Sequence, residues 1–153
     1  MRVEAKIVVR KATSKDVEGI VNVLKSAKLG DEVWTGDEKW VEKALWESLK
    51  NETCTVFVAE CDHKIVGFID WLVFPSFWEG SSQGLINHLF VHADFQGRGV
   101  GASLVEAVVG RADAESIGEM HVSTGWENAK ARRFYAKYGF TEEHLLLERS
   151  REV

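Results

Sequence analysis

The chain contains 153 residues, of which 45% are hydrophobic and 28% are charged. This composition is typical of one globular domain, here residues 1–153. A net charge of −5 and a pI of about 5.6 argue against the basic surface of a nucleic-acid-binding protein. No apolar run approaches the roughly 20 residues of a membrane-spanning helix, so we expect neither nucleic acid nor a membrane as a partner.

The two cysteines predict a reducing environment. Cys54 and Cys61 flank the segment TVFVAE, whose β-branched residues predict a strand. Seven residues of extended chain separate them by roughly 23 Å, whereas the Cα atoms of a disulfide lie about 4.4–6.8 Å apart. We therefore expect free thiols and a cytoplasmic location. No cysteine or histidine pair has zinc-ligand spacing, and we expect no metal.

The first half of the chain predicts two helices and a β-hairpin. Thr13 and Asp16 form a capping-box pattern at the start of the first helix. Trp40 and Trp46 are expected to pack on the second helix, and Pro75 ends the hairpin. In chain order the predicted elements are a strand (7–10), a helix (12–28), a loop (29–37), a helix (38–50) and two strands (53–60 and 65–74).

The second half alternates strands with helices. Gly139 stands where the end of a helix favours a positive φ angle. The predicted elements are a loop (76–84), a strand (85–91), a helix (100–114), a strand (119–124), a helix (127–138) and a last extended segment (140–150). Together the two halves predict an α/β fold in one domain.

A glycine-rich turn precedes the helix predicted over 100–114. Residues 95–104 read FQGRGVGASL. The first turn of a helix has unpaired N–H groups and a partial positive charge, and glycines let a ligand approach the backbone closely. The pattern therefore predicts a site for a phosphate or pyrophosphate.

Several interpretations of this turn compete. A Walker A loop needs Lys before Ser or Thr after its last glycine, and here Ala-Ser follows instead. Gly97, Gly99 and Ala102 match a dinucleotide-binding fingerprint literally. That fingerprint, however, opens a first βαβ unit and needs an acidic residue after the next strand, where EMHVST ends in Ser-Thr. A turn that only tightens strand–helix packing is a further alternative, as is a site for the pyrophosphate of coenzyme A.

Four segments resemble the GNAT N-acetyltransferase superfamily. The stretch QGRGVG (96–101) resembles the Gln/Arg-x-x-Gly-x-Gly/Ala signature of that family. The segment ENAKARRFYAKYGF (127–140) is similar to its Asn-x-x-Ala-x-x-Phe-Tyr-x-x-x-Gly-Phe helix. LINHLFV (85–91) resembles the fourth strand, and VVRKATSKDVEGI (8–20) resembles the first strand and helix. These segments cover nearly the whole chain in the family's order.

The resemblance implies a mixed, mostly antiparallel sheet with helices on both faces. Strands 85–91 and 119–124 would start side by side and splay apart, so that the pantetheine arm of acetyl-CoA adds to the free edge like a strand. The turn would hold the pyrophosphate with its backbone amides. The implied contacts to acetyl-CoA come from Leu89, Phe90, Val91, Gln96, Gly97, Arg98, Gly99, Val100, Gly101 and Ala102.

The resemblance also implies direct transfer of an acetyl group to an amine in a ternary complex. Tyr135 matches the tyrosine that protonates the departing thiolate in many members, although it can also be a packed helix residue. Asn128 is seven residues earlier on the same helix face. It is expected either to bind the pantetheine or the acceptor, or to cap the helix. The backbone of Leu89 or Phe90 is the candidate donor to the developing oxyanion.

The general base is less evident from the sequence. His88 titrates in a suitable pH range and is our candidate, although strand alternation puts its side chain on one face with Ile86 and Phe90. His121 on the next predicted strand, or a base relayed by water, is an alternative. A histidine in a strand also commonly has a purely structural role.

The acceptor is expected to be a small-molecule or peptide amine. Trp34 and Trp78 fall in predicted loops beside acidic residues, and a tryptophan ring can hold a cation, so both are candidates for the acceptor pocket. The apolar C-terminal segment LLLERS (145–150) is suited to strand pairing in a homodimer. A GNAT-like module that binds acyl-CoA without catalysis is the alternative function.

Overall fold

A computed structural model of the chain describes residues 5–29 and 31–151. Short 3₁₀ turns (Ser14–Asp16 and Ala93–Phe95) precede the first helix and the glycine-rich turn. The strands are β1 (Ile7–Lys11), β2 (Lys28–Leu29), β3 (Glu32–Val33), β4 (Cys54–Cys61), β5 (Lys64–Ser76), β6 (Ser81–Val91) and β7 (Glu119–Val122). The helices are α1 (Val17–Ser26), α2 (Glu38–Lys50), α3 (Val100–Ala114) and α4 (Ala129–Ala136).

Five of the strands form one mixed sheet in the order β1-β4-β5-β6-β7. Neighbouring strands are antiparallel except β6 and β7, which are parallel. Strands β2 and β3 form a separate small hairpin, which begins at the last residue of the predicted helix, Lys28, and continues into the segment predicted to be a loop. The loop predicted over 76–84 is mostly strand, because β5 and β6 continue pairing to Ser76 and Ser81. The mixed, mostly antiparallel sheet predicted from the sequence is confirmed.

Helices cover both faces of the sheet, and each face has its own core. Leu104 and Val108 of α3 pack with Trp71 and Ile86 on one face. On the opposite face, Ile20 and Val23 of α1 pack with Val58 and Phe68, and leucines of α2 complete the cluster. We call these the α3/α4 face and the α1/α2 face. The distinction decides which side chains can approach a ligand from each side.

Helix α2 begins and ends at the predicted residues but is only half-buried. Asp37 caps it, because its side chain accepts hydrogen bonds from the amides of Lys39 and Trp40. The side chains of Trp40 and Trp46 are 67% and 46% exposed. The expectation that these two tryptophans are ordinary packing residues is therefore corrected: the leucines of α2 face the sheet, and both indoles face outward.

An ion pair with a buried carboxylate fixes the start of α1. Asp16 is 5% exposed and accepts two hydrogen bonds from Arg10, at 2.7 and 2.8 Å. The amide of Thr13 also donates to this carboxylate at 2.7 Å, which is the predicted capping box. These donors hold the pKa of Asp16 below its usual value, with the Arg10 hydrogen bond as the main cause. The pair ties β1 to the helix that lines the α1/α2 face.

Candidate active site at the splayed strands

A β-bulge at Asn87 re-aims the end of strand β6. Trp71 pairs with Ile86, whereas Asp70 pairs with His88, so Asn87 is the extra residue. Ile86 packs on the α3/α4 face, but Phe90 packs on the α1/α2 face. The expectation that Ile86, His88 and Phe90 share one face is corrected, because one inserted residue inverts the alternation.

The free edge of the sheet begins at the same bulge. Strand β7 pairs with β6 only from Gln83 to Ile86. The amide of His92 donates to Val66 on β5 at 2.8 Å, so by strand alternation Phe90 also directs its N–H and C=O groups toward β5. Leu89 and Val91 direct theirs toward the opposite side, where β7 has ended. The free edge therefore consists of Leu89 and Val91, and Phe90 contributes its side chain instead.

The glycine-rich turn presents open backbone amides. Gly97 and Gly99 have φ angles of 73° and 79°, and a Cβ atom at either position would meet nothing within 4 Å. The first helical hydrogen bond of α3 runs from Ser103 N to Gly99 O at 3.0 Å. The amides before Ser103, on Val100, Gly101 and Ala102, therefore have no acceptor within the helix. Gln96 is exposed at the start of the turn. This geometry suits an anion.

Two cations lie beside the turn. The guanidinium of Arg98 lies 5.1 Å from the centre of the Phe95 ring. The ammonium of Lys64, at the start of β5, lies 5.8 Å from the same ring. Lys64 was not evident from the sequence, because only the β4–β5 hairpin brings it to this turn. The pair adds positive charge next to the open amides.

Tyr135 lies on the α3/α4 face with its ring buried. It is 8% exposed and makes edge-to-face contacts with Phe134 and Phe140, at centroid distances of 5.1 and 5.7 Å. Burial raises the pKa of its phenol to about 12. Among the described residues, Trp71 Nε1 is the one fully buried side-chain polar atom without a hydrogen-bond partner. The Tyr135 hydroxyl is thus not sealed in the core, and it carries a proton at neutral pH.

Asn128 acts as the N-cap of α4. Its side-chain oxygen accepts a hydrogen bond from the amide of Ala131 at 3.0 Å. Of the two roles expected for Asn128, capping is the one seen in the structure. Its side-chain NH₂ group keeps its donors for a ligand.

His88 lies on the α1/α2 face in contact with Asp70. Its Nδ1 atom is 2.9 Å from Asp70 Oδ1, and its side chain is 53% exposed. The ring lies alongside Phe90, with 6.3 Å between centroids. The hydrogen bond to Asp70 raises the pKa of His88 above its ordinary value. His121, the alternative base, lies on β7 near Glu119, with Nε2 and Oε2 3.5 Å apart.

A cavity of about 340 Å³ opens at Phe90, the residue whose ring lies alongside His88. It is lined by Trp34 and Phe90 together with Glu32 and other residues of the β2–β3 hairpin. Trp78 does not line the cavity. It is 94% exposed at the tip of the β5–β6 hairpin, and at about 3.3 Å per residue the tip is roughly 20 Å along β5 from Asp70. The expected grouping of Trp34 with Trp78 is corrected, because the long hairpin carries Trp78 away.

Within residues 5–29 and 31–151, no group of three or more His, Cys, Asp or Glu side chains is arranged to hold a metal. No helix in the same ranges is long and apolar enough to cross a membrane. The arrangement instead offers an anion site, a free strand edge, a phenol on one face and a histidine–carboxylate pair on the other.

Comparison with known proteins gives the family. The model of the acetyltransferase (GNAT) domain matches residues 52–142. An uncharacterised N-acetyltransferase of Archaeoglobus fulgidus is 32% identical over 133 residues, which is 84% of this chain and 88% of that protein. An uncharacterised N-acetyltransferase of Methanocaldococcus jannaschii is 27% identical over 143 residues, which is 90% of this chain but only 62% of that protein.

The fold is also found among solved structures. The crystal structure of a transcriptional regulator from Bacillus halodurans matches with a TM-score of 0.83 and 26% identity, over 95% of this chain and 99% of the other. The splayed strands, the glycine-rich turn and these matches agree with one another. The chain belongs to the GNAT acetyltransferase family.

Proposed function

We propose that this chain is an N-acetyltransferase that transfers the acetyl group of acetyl-CoA to a primary amine by direct attack in a ternary complex. One observation carries the proposal: the free edge at Leu89 and Val91 has Tyr135 on one side of the sheet and His88 on the other. The acyl donor and the acceptor can therefore approach the gap beside Leu89 and Val91, where β7 has ended, from opposite faces of the sheet.

The residues of the turn and the strand fit acetyl-CoA. The backbone groups of Leu89 and Val91 would pair with the amides of the pantetheine arm. The open amides from Gly97 to Ala102 would hold the pyrophosphate, with Gln96 shaping the turn. Arg98 and Lys64 add charge for phosphate oxygens. The thioester supplies the activated acetyl group, and no residue of the chain need be acylated, since both cysteines are buried in β4.

Each side chain then has one task. The amine nitrogen attacks the thioester carbon, and the carbon–sulfur bond breaks. The amide of Leu89 donates a hydrogen bond to the oxygen that gains charge. Nε2 of His88 accepts the proton that the amine loses. The hydroxyl of Tyr135 donates a hydrogen bond to the departing sulfur, which leaves as a thiolate and takes its proton from water. All four acts need the gap that opens where β7 ends.

The cavity on the α1/α2 face supports a small-molecule or peptide amine as the acceptor. Trp34 and Phe90 offer aromatic surface, and Glu32 adds a negative charge at the rim. This combination attracts a cationic amine before it is deprotonated for attack. Trp78 is far along the hairpin and would contact only a long acceptor, such as a peptide.

A panel of amines tests this function, with free CoA and acetylated amine measured together. We expect amine-dependent release of CoA and an amine heavier by one acetyl group. Because Cys54 and Cys61 are 8% and 7% exposed, a thiol reagent should detect CoA over a low background. The alternative, a module that binds acyl-CoA without catalysis, predicts acetyl-CoA-dependent thermal stabilisation with no release of CoA for any amine.

We also propose a cytoplasmic homodimer. The free thiols support a reducing compartment. Leu145, Leu146 and Leu147 are 75–85% exposed, and the outer edge of β7 has no partner strand among the described residues. Pairing this segment with β7 of a second copy would cover both. Light scattering should then give twice the chain mass, and a chain that stops at Thr141 should be a monomer. A monomeric full-length chain would contradict this.

A further inference from the structure

The carboxylate of Asp70 has two partners, and both lie at the bulge of β6. Oδ1 is 2.9 Å from His88 Nδ1. Oδ2 accepts a hydrogen bond from Asn87 Nδ2 at 3.2 Å. The side chain of Asp70 is only 15% exposed, and within the described part of the chain no lysine or arginine forms a salt bridge with it. A largely buried carboxylate therefore depends on the histidine and the amide alone.

We infer that Asp70 is a positioning residue that fixes the orientation and tautomer of His88, so that Nε2 is the atom that accepts the proton of the acceptor amine. This inference rests on the proposed function. An ionised carboxylate can only accept hydrogen bonds. Nδ1 of His88 must therefore carry the hydrogen, and in the neutral ring the lone pair is then on Nε2.

The strands set this pair up before any ligand binds. Asp70 and His88 are cross-strand partners on β5 and β6, which are the closest neighbours that two strands offer. The Phe90 ring beside the imidazole, with planes 27° apart, limits rotation on one side. The bulge is essential, because His88 would point to the α3/α4 face together with Ile86 if Asn87 were paired regularly in the ladder.

Asp70 also stabilises the ring after it takes up a proton. The proton leaves the amine nitrogen, binds Nε2, and passes to bulk water when the acceptor has left. In the charged state, the imidazolium and the carboxylate form an ion pair at 2.9 Å. The hydrogen bond that Nδ1 of His88 donates to Asp70 is the main cause of the raised pKa of His88. Titratable groups elsewhere on this side include Glu32, which lines the cavity, the Lys25–Glu38 ion pair between α1 and α2, and the thiol of Cys54, whose pKa is raised by burial and by Asp70.

The test compares Asp70→Asn with a matched control, Glu119→Gln. The control removes the carboxylate of Glu119, which lies beside His121 on β7. These two residues form another histidine–carboxylate pair near the gap. Nitrogen NMR of the full chain should show the Nδ1–H tautomer for His88 in the wild type and a loss of that preference in Asp70→Asn. We expect kcat to fall about 10-fold or more in Asp70→Asn, with the KM for acetyl-CoA unchanged and the acidic limb of the pH profile moved to lower pH. Glu119→Gln should match the wild type.

A double-mutant cycle separates positioning from a structural role. In a His88→Ala background, Asp70→Asn should cause no further loss of kcat, because its effect passes through the imidazole. A further loss there, or an unchanged His88 tautomer in the single variant, would overturn the inference. Failure of the proposed function would give a different result, because the wild type itself would then release no CoA with any amine. Thermal unfolding of Asp70→Asn checks that the variant is folded, and His88 NMR remains readable without activity.

Discussion

The phenol of Tyr135 should help the departing sulfur as a hydrogen-bond donor that keeps its proton. Burial raises its pKa to about 12, whereas a thiol has a pKa of about 8.5. Complete transfer of the proton to sulfur would cross a gap of about 3.5 pKa units, which costs about 5 kcal/mol. A hydrogen bond to the developing thiolate has no such cost. We therefore expect a hydrogen-bonding role for Tyr135 in place of the general-acid role that the family resemblance implies.

The expected size of the effect follows from the surroundings of the hydroxyl. A hydrogen bond to a charged group contributes about 1.5–3 kcal/mol, so Tyr135→Phe should lower kcat by about 10- to 150-fold. The ring stays buried among Phe134 and Phe140. The free energy of unfolding should change by less than about 0.5 kcal/mol, because no described residue hydrogen-bonds the lost hydroxyl. The KM for acetyl-CoA should be unchanged.

The assay is steady-state release of CoA between pH 6 and pH 10 for the wild type and Tyr135→Phe. Tyr138→Phe is the matched control, since the ring of Tyr138 also packs against Phe134, with 5.5 Å between the ring centroids, but Tyr138 is outside the proposed site. A raised pKa means that Tyr135 stays protonated throughout, so its removal should lower the whole profile without moving a limb. A change below about 3-fold, or an alkaline limb near pH 9 that vanishes in the variant, would refute this reasoning.

Three further predictions concern the turn, the cavity and the ion pair. Gly99→Ala should destabilise the protein by about 1–2 kcal/mol, since φ is 79° there. Chemical denaturation measures this loss, and Gly101→Ala is the control, because its added Cβ would make only ordinary contacts. The difference between the two variants isolates the effect of the backbone conformation. Trp34→Ala should raise the KM for the amine about 10-fold without changing that for acetyl-CoA, and Trp78→Ala should not if the amine is small. The lowered pKa of Asp16 stabilises the fold above pH ~4, its unfolded value. That contribution should fade as pH falls further, and Asp16→Asn, measured by urea unfolding at pH 7 and pH 3, should therefore show a larger loss of stability at pH 7 than at pH 3.

Helices with strong end signals could be predicted closely from the sequence. Both α2 and α3 occupy the residues expected, because apolar periodicity and caps are local properties of the chain. The start of β6 could not be predicted. Its first residues, Ser81 to Gly84, have low strand propensity, and they are extended only because β5 pairs with them. Pairing with a neighbouring strand determines the secondary structure of such segments.

The candidate site, too, could be predicted from the sequence only in part. The glycine-rich turn and Tyr135 were evident, since a backbone motif and a helix face can be read along the chain. The bulge at Asn87 has no sequence signal of its own, and it determines on which face His88 lies. Trp78 was grouped with Trp34 because both fall near acidic residues in predicted loops. Only the length of the β5–β6 hairpin separates them.

The proposed site depends on both the bulge in β6 and the short length of strand β7. If β7 continued past Val122, its backbone would occupy the edge at Leu89 and Val91, and an acyl carrier would have no place to pair. If β6 lacked the bulge, the gap would still exist, but His88 would lie on the same face as Tyr135 and the acceptor cavity would have no base. An active site between two faces needs both features. Any change that extends β7 pairing should therefore abolish acetyl-CoA binding, whereas a change that draws Asn87 into the regular ladder opposite Asp70, and so moves His88 to the other face, should abolish turnover and spare binding.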